Sequence, residues 1–135
     1  MKSRLQVGLE AEATVRVDEA RTIDFMGEEA RVYATPMLVR DIEVACRDLL
    51  QPHLDAGEDS VGTRVELDHL AATLLGMQVA LTVRVIAVDG RAVTFEVEGR
   101  DRVDAICRGR HQRFVVDVAK TRARLLAKAQ AAKAA

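Results

Sequence analysis

The chain is poor in aromatic residues: among 135 there is no Trp, one Tyr and three Phe. Proteins that hold single-stranded nucleic acid without sequence preference stack bases on such rings, so that class of function is disfavoured. Charge of either sign is not in excess, with 20 basic against 21 acidic residues and a net charge of −1. So even a balance attracts no polyanion at long range, and neither nucleic acid nor membrane is expected as a partner. Basic residues do gather locally at Arg108, Arg110, Arg113, Lys120, Arg122 and Arg124. That cluster reads equally as a phosphate-facing patch or as a solvated strand and helix face.

There are two cysteines, Cys46 and Cys107, and no CxxC. Both fall at apolar positions of predicted elements and read as small buried hydrophobes rather than as a disulfide, a nucleophile or zinc ligands. No apolar run approaches the ~18 residues of a membrane span, and the first residues, MKSRLQVGLEAEATVRV, contain no apolar h-region. A cytoplasmic location is the expectation. Gly62 and Gly76 belong to no GxGxxG or P-loop pattern, and HExxH, GxSxG and clustered metal ligands are missing. Neither a metal nor a bound cofactor is therefore expected.

Hydrophobic residues make up 49% of the chain and charged residues 30%. This is ordinary globular usage, and the length suits one domain over residues 1–135 that buries roughly two-thirds of its unfolded surface. The only two prolines bracket the most apolar helix pattern, TPMLVRDIEVACRDLL from Thr35 to Leu50. Leu38, Ile42, Ala45, Cys46, Leu49 and Leu50 recur at spacings of three and four and share one face. Thr35 reads as an N-cap with Pro36 at the first helical position, and Gln51-Pro52 reads as the stop. Glu43 falls at the border between the apolar face and the side carrying Arg40 and Arg47.

Around this helix the chain reads as strands. Leu5 to Val17 alternates around Ala13, Val15 and Val17 and predicts an edge strand. Asp18 to Ala34 has no sustained period and reads as a long loop, the kind that serves as a lid or binding loop. Pro52 to Gly62 reads as a connection, with His53 a solvated loop histidine. Val61, Thr63, Val65, Leu67 and His69 then share the inward side of one strand, followed by the inward rows Val79, Leu81, Val83, Val85 and Val93, Phe95, Val97. Asp89-Gly90 predicts a type I′ hairpin between the last two rows. A final strand runs from about Val103 to Val116, and residues 118–135 form an alanine-rich helical tail. Strands grouped after a single apolar helix predict an α+β fold, a curled antiparallel sheet wrapped around that helix, with an open sheet edge that pairing with a second copy would cover.

Candidate chemistry is sparse. Thr35, Glu43 and His69 would supply a hydroxyl, a carboxylate and an imidazole if the strand ending at His69 crosses the helix, and the helix N-terminus would add N–H donors for an oxyanion. Each residue has a structural alternative. Thr35 can be only an N-cap, Glu43 an i,i+4 ion pair with Arg47, and His69 a satisfied core histidine.

The stretch VYATPMLVRDIEVACRDLLQPHLDAGEDSVGTRVELDHLAAT, from Val32 to Thr73, resembles the core of the hot-dog-fold thioesterases related to fluoroacetyl-CoA thioesterase. The shared features are an aromatic residue and Ala before Thr, a helix with E-x-A-C, a proline, an acidic Gly-containing loop, S-x-G-T, and a strand ending H-x-A-A-T. The likeness extends more loosely through V-x-G-R and the H-x-R of His111 and Arg113, over most of the chain beyond the first ~30 residues. It implies a hot-dog homodimer with sites at the dimer interface, hydrolysing a small acyl-CoA in which coenzyme A is part of the substrate. It also implies Thr35, Glu43 and His69 as the catalytic trio: Glu43 as nucleophile or water activator, His69 moving protons, and Thr35 orienting the carboxylate or substrate. Gly62 and Arg113 match further positions near the site. In the lid segment, Met26 and Glu29 stand where the fluoroacetyl-specific enzyme has phenylalanines, so fluoroacetyl selectivity is not implied. A non-catalytic acyl-CoA-binding module of the same fold, and a dimeric structural protein, are the competing readings.

Overall fold

A computed structural model describes residues 1–135. The apolar helix pattern forms α1, Thr35–Leu50, with the predicted bounds. It lies against one face of a curled five-stranded antiparallel sheet of order β1-β5-β6-β7-β4. The strands are β1 (Glu10–Arg16), β4 (Glu58–His69), β5 (Gln78–Asp89), β6 (Ala92–Arg100) and β7 (Ala105–Asp117). A terminal helix α2, Val118–Ala134, follows with no buried residue. No helix is long and apolar enough to cross a membrane.

Burial follows the two periodicities. Leu38, Ile42, Ala45, Cys46 and Leu50 of α1 meet Val79, Leu81, Val83 and Val85 of β5 and Val93, Phe95 and Val97 of β6 in one core. Each large side chain there stabilises the fold by about 1.5–3 kcal/mol through burial. Both cysteines are free and buried. Burial pushes the Cys46 thiol up to about 12 and that of Cys107 to about 11, so neither is a ready thiolate.

Four expectations are corrected. Asp18 to Ala34 is not a bare loop: Thr22–Ile23 (β2) pairs with Val32–Tyr33 (β3) in a short ribbon, flanked by single 3-10 turns. Pairing this short leaves no room for a readable alternation. In β4, a bulge between Gly62 and Arg64 leaves Thr63 unpaired. The inward row is therefore Ser60, Gly62, Val65, Leu67 and His69, opposite Val115, Arg113, His111, Gly109 and Cys107, and Val61 turns to the other face. The β5–β6 turn falls one residue later than predicted. Asp89 pairs with Ala92, and of the two loop residues Gly90 alone has positive φ, 59°, which suits a type II′ turn rather than I′. His53 is half-buried in a 3-10 turn, and its Nδ1 is buried without a partner rather than solvated.

The outer sheet face sets two members of the basic cluster apart from the rest. Glu10, Arg84, Glu96, Arg110 and Glu66 are cross-strand neighbours in one row, and Glu98, Arg108 and Asp68 in the next. Signs alternate across the strands, so Arg108 and Arg110 each stand between carboxylates rather than in a continuous basic surface.

Candidate active site

Two clusters carry the candidate chemistry. In the first, Thr35 Oγ1 lies 2.8 Å from His69 Nδ1. The N-cap is Ala34, with no side-chain capping bond, so Thr35 stands one residue inside the helix and its hydroxyl serves His69 instead of the helix end. The N-cap reading of Thr35 is thereby corrected. Pro36 has no N–H, and the Met37 and Leu38 N–H groups both donate to the Ala34 carbonyl. Thr35 itself is the one first-turn residue whose N–H finds no backbone acceptor, which narrows the expected oxyanion donors at this helix end to a single group. Burial lowers the His69 pKa from its ordinary value, with the Ala71 backbone opposing. Its Nε2 is buried and has no hydrogen-bond partner.

The second cluster surrounds Glu43. The carboxylate does not pair with Arg47, which is held by Asp59 through Nε at 3.0 Å and Nη2 at 2.7 Å. Glu43 instead points across the sheet at Gly62. A Cβ on that glycine would sit 2.3 Å from Glu43 Oε1, so the missing side chain is the space the carboxylate occupies. Arg113, directly opposite Gly62 on β7, is 5% exposed and has no carboxylate within salt-bridge distance. Its Nε and Nη2 donate to Ser60 Oγ and the Ser60 carbonyl, each at 2.8 Å, and Nη1 lies 3.1 Å from His111 Nε2. Burial holds its pKa below the usual arginine value, with Glu43 opposing. A groove of about 370 Å³, lined by Arg40, Glu43, Val44, Arg47, Ser60, Gly62 and Arg113 among others, opens over this cluster.

The clusters do not meet within one chain. Thr35 and Glu43 are separated by eight residues of α1, about 12 Å along the axis. Gly62 and His69 lie opposite Arg113 and Cys107, about 20 Å apart along the strand. Thr35 and His69 are brought together, as are Glu43, Gly62 and Arg113, but the three catalytic candidates do not converge within one chain.

Met26 and Glu29 lie at the tip of the β2–β3 ribbon and are exposed, Met26 to 64%. The ribbon's base is anchored by a group the sequence reading passed over. Asp41 is buried and accepts from Arg21 Nε at 2.9 Å and Nη2 at 3.1 Å and from the Tyr33 hydroxyl. Asp41 sits three residues after Leu38 and four before Ala45, an apolar-face spacing that would have marked it as buried. His111 was likewise readable, since it alternates with Arg113 and Val115 on one side of β7.

Comparison with known proteins gives the family. Residues 17–119 match the family model described as FlK, fluoroacetyl-CoA-specific thioesterase. The chain belongs to that family. It is thereby a thioester hydrolase by descent. Fluoroacetyl-CoA thioesterase of Streptantibioticus cattleyicolor is 36% identical over 104 residues, covering 77% of this chain and 75% of that protein. A Thermus thermophilus thioesterase superfamily member superposes with a TM-score of 0.88 at 31% identity, over 97% of this chain and 98% of that one. A variant of FlK solved with fluoroacetate and CoA superposes with a TM-score of 0.79 at 31% identity, over 87% and 99% of the two chains.

Proposed function

We propose that this protein hydrolyses a small acyl-CoA thioester at sites built between two copies of the chain, each combining Thr35 and His69 of one subunit with Glu43 of its partner. The observation that carries the reading is the buried, unpartnered Nε2 of His69. A buried polar atom without a partner is costly and rare. A carboxylate from a second copy would satisfy it. The edge of β4 is open, with Val61 and Val65 exposed at 43% and 37%. Antiparallel pairing of two β4 edges centred near Glu66 brings His69 of the partner subunit to the bulge at Gly62, where Glu43 lies.

In such a site the Glu43 carboxylate attacks the thioester carbonyl or takes a proton from the attacking water. His69, its ring set by the Thr35 hydroxyl, delivers a proton to the departing CoA thiolate. The Thr35 N–H donates to the developing oxyanion. Where Glu43 attacks, water then opens the acyl–Glu43 anhydride, and by either route water and thioester become a carboxylic acid and a thiol. The FlK variant is solved with fluoroacetate and CoA, the two halves of such a thioester, and the acyl group taken here is set by a lid tip bearing Met26 and Glu29.

The test is thiol release from a panel of short acyl-CoAs by the wild type, by Glu43→Gln and His69→Ala alone, and by the two variants co-expressed. Each single variant is expected to be inactive. Mixed dimers regain one complete site, giving about a quarter of wild-type activity for random pairing. Inactivity of the co-expressed pair, with mixed dimers present, contradicts the shared site, and no turnover by the wild type on any acyl thioester contradicts the activity.

A further inference from the structure

We infer that His111 is a positioning residue that fixes the Arg113 guanidinium beside the Glu43 carboxylate through a neutral imidazole of one tautomer. The inference rests on the proposed role of Glu43. His111 is 1% exposed, on the inward row of β7. Its Nδ1 lies 2.9 Å from the Arg64 carbonyl oxygen, which can only accept, so Nδ1 carries the hydrogen. Its Nε2 lies 3.1 Å from Arg113 Nη1, which can only donate, so Nε2 presents its lone pair. Both ring nitrogens are thus specified by groups that cannot exchange roles.

The ring cannot easily turn away. It stacks on Phe95 with centroids 6.3 Å apart and an interplanar angle of 24°, and its Cε1 would lie 3.1 Å from a Cβ at position 62. With Ser60 taking Nε and Nη2, His111 provides the acceptor for the third nitrogen of Arg113. A buried cation with no carboxylate within salt-bridge distance is oriented by hydrogen bonds to these neutral acceptors.

Protonation reverses the arrangement. A hydrogen on Nε2 would face the Arg113 N–H, donor against donor, while Glu43 Oε1 lies only 4.0 Å from the same nitrogen. The imidazolium would abandon Arg113 and draw in the carboxylate. The charged groups facing the ring are Arg113 from its own strand and Glu43 from α1. Its contacts from β4 and β6 are the Arg64 carbonyl and the Phe95 ring. Burial and Arg113 keep His111 below the ordinary histidine value, against Glu43 and the Arg64 carbonyl.

Nitrogen-15 spectra of the histidine rings in the intact protein test the tautomer directly. The expected result is a neutral Nδ1–H ring at neutral pH that protonates only on acidification. An Nε2–H ring or an imidazolium at neutral pH overturns the inference, whether or not the protein hydrolyses thioesters. Kinetics supply the second arm. The acid limb of kcat/KM in the wild type is expected to include one proton taken up by His111, below its ordinary histidine value. That proton should be missing from the limb in His111→Gln, whose amide oxygen still accepts from Arg113 and preserves most of the activity at higher pH. His111→Leu lacks the acceptor and should lose about tenfold or more at every pH. An unchanged acid limb in His111→Gln, or full activity in a folded His111→Leu protein, also overturns it.

Discussion

The Thr35 hydroxyl and the His69 ring are joined by a 2.8 Å contact between the first turn of α1 and the last residue of β4. A helix cap and an imidazole partner make opposite demands on Thr35→Ala. Loss of an N-cap costs about 1 kcal/mol, or about 4 °C in Tm for a domain of this size. Since Ala34 is the cap, thermal unfolding of Thr35→Ala should stay within a degree or two of wild type. Its kcat should fall about tenfold, the worth of one hydrogen bond to the proton carrier, and Thr35→Ser should recover most of it. Calorimetry beside thiol-release kinetics separates the two.

Gly62→Ala places a methyl group where the Glu43 carboxylate lies, 2.3 Å from Oε1. The obstructed atom is the end of a flexible side chain, so the strand should still form. The carboxylate must move by about 1 Å, and displacement on that scale costs about 10²-fold in rate. Circular dichroism should remain native while kcat drops. Retention of full activity would mean that Glu43 does not act from this position.

Asp41 ties Arg21 and Tyr33 to α1. Asp41→Leu leaves the Tyr33 hydroxyl buried without an acceptor and should cost about 2–3 kcal/mol. Adding Tyr33→Phe removes the stranded hydroxyl, so the double variant should be more stable than Asp41→Leu alone. Urea unfolding of the four proteins gives the coupling energy, and strict additivity would show that the tyrosine does not depend on the carboxylate.

Acid should loosen the fold in two stages. His53, His69 and His111 all have pKa values lowered in the folded protein, with burial the largest cause for each. The unfolded chain therefore binds more protons as pH falls below about 6.5, and stability declines from there. Asp59, lowered by Arg47, and Asp101, which burial raises but backbone N–H donors and Thr73 lower overall, hold their contribution until pH drops to about 4 and lose it below. Tm measured against pH should show both declines. A flat Tm between pH 7 and about 5 would contradict the buried neutral histidines.

Helix α1 was legible to the residue because a 3.6-residue apolar period between two prolines admits one reading. The inward rows of β5 and β6 followed from alternation for the same reason. The bulge at Thr63 was not legible, since Val61, Thr63 and Val65 alternate correctly and only pairing with β7 reveals the extra residue. Asp41 hid behind its charge. The separation of Glu43 from His69 was out of reach in principle, because spacing along a chain does not say which end of a strand a helix crosses. The likeness to a family nominated Thr35, Glu43 and His69, and the geometry divides them between two clusters.

Thr63 is the one position in β4 that the neighbouring strand does not count. With it removed, Gly62 would still face inward, and so would Val65, Leu67 and His69, because the bulge had already absorbed the change of side. A chain one residue shorter here keeps every site side chain on its face, whereas one residue longer does not. Length variation at this point is therefore asymmetric: the fold tolerates a deletion that straightens the edge and resists an insertion that would turn His69 out to solvent.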